Sequence, residues 1–218
     1  MNRVVAAARL EAWVMKSSYP VLGAAVVVPF LVAVLTRTPV FAGTVTVAAT
    51  ATFVLYLFAV HEKNRTCRLY GIVPLHRRDV VAGRYLYALV LGVTSIFVAV
   101  AATGLASTTT GVSVDATSMA TFAAGAWLAL CYTVAATYPV YFVLDFSKGV
   151  FITPLLMLVL VAVAGVPLFS DAQSLSSTML WLLNHPTLMA LGALAAGLTM
   201  LTVSALVATA LYQRKELT

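Results

Sequence analysis

The stretch HEKNRTCRLYGIVPLHRRDVVAGRYLYALV, residues 61–90, places a dense group of charged side chains next to a long apolar run. Such polarity is unusual in this chain, because only 9% of its 218 residues are charged and 62% are hydrophobic. The hydrophobic share exceeds the usual value for a globular domain. We therefore predict an integral membrane protein in which residues 61–79 form a loop between two membrane spans.

Apolar runs on both sides of this loop define the rest of the fold. Six uncharged intervals can each hold a span of about 20 residues, the length that crosses a hydrocarbon core of about 30 Å. A transmembrane β-barrel is the competing architecture, but its strands need only about ten residues of alternating polarity. The runs are longer and more uniformly apolar, which favours an all-α fold in one transmembrane domain, residues 1–218. The six predicted spans are residues 20–35, 39–60, 80–103, 120–144, 150–166 and 186–212.

Lysine and arginine residues indicate the orientation, because positive charges next to membrane spans are retained in the cytoplasm. With six spans and a cytoplasmic N-terminus, all of the 13 basic residues except Arg37 fall on the cytoplasmic side. Both termini are therefore predicted to be cytoplasmic. The net charge of +6 then reflects topology, so no nucleic-acid partner is needed to explain it.

The first 19 residues are helix-prone and carry Trp13 and Tyr19, side chains that suit the headgroup region of a membrane. We predict a cytoplasmic helix at the membrane surface. The charged residues of this segment scatter around a helical wheel, so a basic leader that only sets orientation is an equal alternative. The predicted outer loop, residues 167–185, is too short to form a domain. It contains the apolar segment MLWLL, which is predicted to lie at the surface or to be partly re-entrant.

The loop of residues 61–79 has more side-chain variety than a simple chain reversal requires. Apolar residues such as Leu69, Tyr70 and Leu75 alternate with its charges, a composition that suits a docking surface for another protein. The alternative is a topology-setting loop whose basic residues contact anionic lipid. The second cytoplasmic loop, DFSKG at residues 145–149, is either a smaller contact or a turn.

Motifs for catalysis or nucleotide binding are absent from the sequence. The chain has no Gly-rich P-loop with its lysine, no HExxH and no GxSxG pattern, and its three histidines lie in separate loops. None of the predicted spans places an Asp, Glu, Lys or Arg near its centre, which disfavours an ion-driven carrier. We therefore predict that the chain is not an enzyme, binds no cofactor and does not itself hydrolyse ATP.

With spans, orientation and loop defined, the chain resembles the membrane permease subunits of bacterial type-2 ABC exporters, which have a separate ATPase. The resemblance rests on residues 62–86, EKNRTCRLYGIVPLHRRDVVAGRYL, where Glu62 matches the acidic residue that follows the second span. Residues 73–86, VPLHRRDVVAGRYL, match the start of the third span in that family, with Arg84 where a Lys or Arg is usual. His76 departs from the pattern, which has a small hydroxyl residue there.

The resemblance implies a function for the charged stretch. Residues 62–79 would be the coupling element that sits in a cleft of the ATPase subunit and transmits its closure to the helices. ATP and magnesium would be bound by that partner, and two permease subunits, identical or related, would pair with two ATPases in the plasma membrane. The implied ATPase contacts are Glu62, Tyr70, Pro74, Leu75, Arg77, Arg78, Asp79, Asp145 and Lys148.

The cargo and the competing protein classes depend on the spans themselves. The spans are rich in Ala, Val, Leu and Thr, so the predicted cargo is apolar or amphipathic, such as a hydrophobic peptide, a lipid or a drug-like metabolite. A non-transport membrane protein, such as an immunity or regulatory factor, could bind a partner through the same loop. A membrane enzyme would require a cluster of polar side chains inside the spans, and the sequence shows no such cluster.

Overall fold

The chain folds into long helices in the computed structural model, which describes residues 3–63, 77–144, 146–153 and 185–214. Those ranges contain helices and turns and no β-strand, so the predicted all-α fold is confirmed. Residues 146–153 are helical. The other elements are α1 (Arg3–Val14), a 3₁₀ turn (Lys16–Ser18), α2 (Tyr19–Thr36), α3 (Pro39–Lys63), α4 (Arg77–Thr110), α5 (Ala116–Val143) and α6 (Pro186–Arg214).

Five helical segments are long and apolar enough to cross a membrane, and they correspond to five of the six predicted spans. The remaining predicted span, residues 150–166, lies outside the described residues except for residues 150–153, which are helical. This is the architecture of a multi-pass membrane protein. The five segments are Lys16–Thr36, Pro39–Lys63, Arg78–Thr110, Ala116–Val143 and Pro186–Gln213.

The largest difference from the predicted spans is the length of α4, which continues to Thr110 instead of ending at residue 103. The last turns of α4 are rich in Ser and Thr, a composition that suggests a loop. Each hydroxyl from Ser107 to Thr110 donates a hydrogen bond to a carbonyl three or four residues earlier in the helix. The polar side chains are therefore satisfied within the helix, which does not have to end where the apolar run ends.

Two tight turns define one end of the bundle, which we call the Gly111 end. Arg37 lies in the left-handed region with a φ of 55° and ends α2, and its N–H donates to the carbonyl of Ala33. Gly111 follows α4 and has a φ of 71°. Glycine adopts this left-handed conformation without strain because it has no Cβ. Asp115 is the N-cap of α5 and accepts hydrogen bonds from the N–H and the hydroxyl of Ser118.

The opposite end, which we call the Lys63 end, contains the end of α3, the start of α4 and the ends of α5 and α6. Helices α5 and α6 form the most extensive helix contact in the described part of the chain. They run in the same direction, because Phe142 near the end of α5 contacts Tyr212 near the end of α6, with 5.5 Å between ring centres. The chain therefore leaves α5 at the Lys63 end and begins α6 at the Gly111 end.

Helix α1 also lies at the Lys63 end, fixed against α4 by a close approach of the two backbones. Gly83 faces α1, and a Cβ at this position would lie 2.6 Å from the Cβ of Ala7. Aromatic rings fill the core beside this contact. Phe58 of α3 lies against Tyr138 and Phe142 of α5, with 4.9 and 5.5 Å between ring centres. The Lys63 end thus has an aromatic core in which polar side chains are buried.

Candidate functional site

The predicted contact residues lie at the Lys63 end wherever the structure describes them. Glu62 is in the last turn of α3, and Arg78 and Asp79 are in the first turn of α4. Lys148 is in the helix of residues 146–153. Arg77 is the first residue of α4. The other four predicted contacts lie outside the described residues. Those four are Tyr70, Pro74, Leu75 and Asp145.

Glu62 brings the two predicted contact loops together. Its Oε2 accepts a hydrogen bond of 3.1 Å from the backbone N–H of Ser147. Residues 146–149, predicted as a loop, form the first turn of a helix instead. A carboxylate is favourable at this position because the first N–H groups of a helix have no partner within the helix. The end of α3 and the second predicted contact therefore form one surface, with Lys63 and Lys148 exposed on it.

The first turn of α4 adds a second acidic group to this surface. Asp79 lies where a carboxylate complements the positive end of the helix dipole. Its Oδ2 is buried and accepts no hydrogen bond from the described residues, whereas the neighbouring Arg78 is exposed. The Lys63 end therefore brings together acidic and basic side chains from three helices.

Beneath this surface lies a buried group of charged side chains, Glu11, His61 and Arg84, which we call the Glu11 cluster. Glu11 of α1 is only 1% exposed. Its Oε2 contacts Nε2 of His61 in α3, and its Oε1 accepts a hydrogen bond of 3.0 Å from Nε of Arg84 in α4. A buried carboxylate is tolerated only when it is paired and hydrogen-bonded, so the cluster fixes three helices relative to one another.

Aromatic rings complete the surroundings of the Arg84 side chain. The guanidinium carbon of Arg84 lies 5.0 Å from the ring centre of Phe58 and 5.2 Å from that of Phe142, within the range of a cation–π interaction. Phe58 belongs to α3 and Phe142 to α5. The position of Arg84 is therefore coupled to α5 as well as to α1 and α3.

Sequence reasoning missed the Glu11 cluster because the buried face of α1 is not an apolar stripe. The residues that α1 and the following turn bury are Ala7, Glu11 and Met15, four positions apart, whereas Arg9 is exposed and Trp13 is 76% exposed. The buried stripe combines a small residue with a charged one, so it gives no amphipathic signal. The signal that could have found it is the single acidic residue aligned with Ala7 and Met15 at helical spacing.

A second polar connection joins α4, α5 and α6 one residue along α4 from Arg84. Tyr85 donates a hydrogen bond of 2.7 Å from its hydroxyl to Oγ of Ser204, which donates in turn to the carbonyl of Ala135 at 2.7 Å. Tyr85 and Ser204 are both buried. Hydroxyl bonds of this kind hold helices together where neither lipid nor water offers an alternative partner.

An open groove of about 670 Å³ lies between α3 and α5 and is largely apolar. Five threonines line it, but each hydroxyl donates to a carbonyl one turn earlier in its own helix, so the groove offers mainly methyl groups and hydrocarbon. No charged side chain lines the groove in the ranges that the structure describes. The threonines are Thr44, Thr52, Thr121, Thr133 and Thr153.

Metal binding has no geometric support in the described ranges, which contain no group of three or more His, Cys, Asp or Glu side chains in a suitable arrangement.

Comparison with known proteins gave one finding. The family model described as "ABC-2 family transporter protein" matches residues 12–213, which is nearly the whole chain. No curated protein and no solved structure matches the chain.

Proposed function

The chain belongs to the ABC-2 family of transporter proteins, and we propose that this ABC transporter permease exports an apolar or amphipathic cargo, driven by a separate ATPase at the Lys63 end. Family membership makes the chain a membrane transport component and implies partnership with an ABC ATPase. The proposal concerns what membership leaves open: the surface that the ATPase contacts, the orientation, the cargo and the number of subunits.

The observation that carries the proposal is the hydrogen bond between Glu62 and Ser147. It joins the two segments that the resemblance implies as ATPase contacts, which are far apart in sequence. Exposed Arg78 and Lys148 lie on the same end of the bundle. A partner that pushes on this end would act on α3, α4 and the helix of residues 146–153 together. ATP and magnesium belong to that partner.

The arrangement of charges supports a cytoplasmic location for the Lys63 end. Helix α1 and the end of α6 lie at this end, as do Lys63, Arg78 and Lys148, whereas Arg37 lies at the Gly111 end. The parallel directions of α5 and α6 support a sixth crossing between them, within residues 150–166. On this basis we propose six spans with both termini cytoplasmic, a short outer loop and α1 at the inner surface of the plasma membrane.

The groove between α3 and α5 supports an apolar or amphipathic cargo. Its wall is hydrocarbon apart from threonine hydroxyls that already donate within their helices, so a charged cargo would lose its hydration without gaining a partner. We propose that the groove forms part of the cargo route and that a second permease subunit, identical or related, completes that route. Two such subunits would work with two ATPases.

The test is co-purification of the tagged permease with a nucleotide-binding subunit from detergent-solubilised membranes, followed by mass spectrometry. The variant Leu75→Asp places a charge in the predicted contact segment. Its matched control, Val112→Asp, makes the same change at a residue exposed in the turn at the Gly111 end. We expect the wild type and the control to retain the ATPase and Leu75→Asp to lose it. Equal retention by both variants would remove the coupling role from this segment.

A further inference from the structure

The coupling segment that we propose has two stems, and the structure describes both. One stem is the last turn of α3, which contains His61 and ends at Lys63. The other stem is the start of α4, from Arg77 through Arg84. Any movement that an ATPase imposes between these helices has to change the separation of the stems or move the stems as one unit. Which of the two happens depends on what joins them.

We propose that Glu11 of α1 is a positioning residue that holds the two stems at a fixed separation, so that α1 is part of the coupling apparatus. The inference rests on the proposed function, since it assigns α1 a role in transmitting movement from the ATPase. Oε2 of Glu11 contacts His61 on one stem and Oε1 accepts from Arg84 on the other. A single carboxylate therefore bridges both stems, and a change in their separation breaks one of the two contacts.

The carboxylate can act as a bridge because α1 itself is held firmly. Ala7, one turn before Glu11, packs closely on Gly83, and a Cβ added to Gly83 would overlap with the Cβ of Ala7. Met15, one turn after Glu11, is fully buried against Leu57 and Tyr87. The hydroxyl of Tyr19 in α2 also donates a hydrogen bond of 3.1 Å to the carbonyl of Ala12. This bond connects the end of α1 to the first span.

Burial makes the two contacts of the carboxylate strong relative to surface ion pairs. Glu11 is 1% exposed, and His61 and Arg84 are also buried, so water does not replace a broken contact. The rings of Phe58 and Phe142 lie over the Arg84 guanidinium and extend the coupling to α5. The stems, α1 and α5 are therefore expected to move together as one unit.

The test measures the separation of the stems directly. Spin labels are attached at Lys63→Cys and Arg78→Cys, two exposed positions that flank the coupling segment, in a background with Cys67→Ser and Cys131→Ser. Pulsed electron paramagnetic resonance then gives the distribution of label distances in lipid nanodiscs. The measurement needs no ATPase and is made on the full chain.

Besides a control, four proteins are compared: the labelled parent, Glu11→Ala, His61→Ala and the double variant. We expect one narrow distance peak in the parent and loss of that peak in both single variants. The double variant should be no broader than either single variant, because both substitutions remove the same bridge. Asp115→Ala, which removes a carboxylate at the Gly111 end, is the matched control and should keep the narrow peak.

Three results would overturn the inference: a narrow peak in Glu11→Ala, a narrow peak in His61→Ala, or a double variant that is broader than both single variants. If Glu11→Ala does not fold, His61→Ala still decides the question, because it leaves the Glu11 to Arg84 hydrogen bond in place. The label distances are measured without an ATPase, so they test the bridge separately from the proposed function. Equal retention of the ATPase by Leu75→Asp and Val112→Asp would refute the coupling role without affecting the label distances. An unchanged peak in Glu11→Ala would refute the bridge without affecting co-purification.

Discussion

The two ends of the helix bundle are held together in different ways. At the Lys63 end, directional polar contacts join the helices through the Glu11 cluster and through the hydrogen bond between Glu62 and Ser147. At the Gly111 end, small residues let the backbones approach one another. A buried group of Ala33, Ala42, Ala102 and Ala106 forms that contact.

The difference matches what each type of contact can do. Close packing of small residues is a short-range van der Waals interaction, which stabilises one arrangement of helices in lipid. Ionic contacts between buried side chains have defined geometry and are costly to break singly. The end that we assign to the ATPase is thus the end at which helix positions are specified by charge, and substitutions at the two ends should have different effects.

The largest expected effect is that of Glu11→Ala, which leaves Arg84 buried without this carboxylate. Breaking a buried ion pair by removing one partner costs about 3–5 kcal/mol, so the free energy of unfolding should fall by an amount of this order. Thermal unfolding in detergent, followed by size-exclusion chromatography, measures the loss. Arg9→Ala on the exposed face of the same helix is the control and should unfold like the wild type.

The next effect concerns the close packing at the Gly111 end. A Cβ at Gly43 would lie 2.5 Å from Oγ1 of Thr103 and 2.7 Å from the ring of Phe122, so Gly43→Ala should destabilise the protein by about 1–3 kcal/mol. Gly192→Ala is the matched control, because no atom of another helix in the described ranges lies within 4 Å of its Cβ position. Alanine is the better helix former, so the control should be neutral or slightly stabilising. Equal unfolding temperatures for both variants would contradict the assigned packing.

A smaller effect is expected from the hydroxyl pair of Tyr85 and Ser204. Tyr85→Phe removes the donor to Ser204 and should cost about 0.6 kcal/mol, the average for such bonds between membrane helices. The double-mutant cycle with Ser204→Ala isolates the pair energy from the loss of the Ser204 bond to Ala135. A coupling energy of zero in detergent unfolding would show that the two hydroxyls do not interact.

The most local effect should come from Asp115, whose exposed side chain caps α5. Hydrogen bonds from the hydroxyl and the N–H of Ser118 lower the pKa of Asp115, so its charged form is stabilised in the folded protein. The contribution is present at pH values above the pKa of the unfolded chain and is lost as the pH falls through the lowered pKa of the folded chain. Thermal unfolding of Asp115→Ala should therefore differ from wild type at neutral pH and converge with it in acid.

The control for this pH dependence is Asp115→Asn. Asparagine is also a good N-cap but does not titrate in this range. Its unfolding temperature relative to Asp115→Ala should therefore stay constant as the pH falls. A difference that disappears for both residues would mean that acid acts elsewhere in the protein.

The helices could be predicted from the sequence because span length and apolar content are local properties. Five predicted spans have counterparts in the structure, and the main error, the end of α4, arose because Ser and Thr hydroxyls are satisfied within the helix. The Glu11 cluster could not be predicted in this way. Glu11 is 50 residues from His61 and 73 from Arg84, and only tertiary packing decides that these side chains meet.

The candidate site shows the same division. The sequence stretch around Glu62 suggested a contact surface because apolar residues alternate with its charges, whereas charge alone would suit a loop that only sets topology. The bond from Glu62 to Ser147 across 85 residues was not predictable, because it depends on residues 146–149 being helical rather than a loop. The buried charged side chains of the Glu11 cluster lie near the Lys63 end of their helices.

The most direct test of the account is site-specific photo-crosslinking in the assembled transporter, with a photoreactive residue placed at one position at a time. Arg78 and Lys148 represent the Lys63 end, and Arg37 and Val112 represent the Gly111 end; all four are exposed. The account predicts crosslinks to the nucleotide-binding subunit from the first pair and none from the second. Crosslinks from Arg37 or Val112, with none from Arg78 or Lys148, would contradict it.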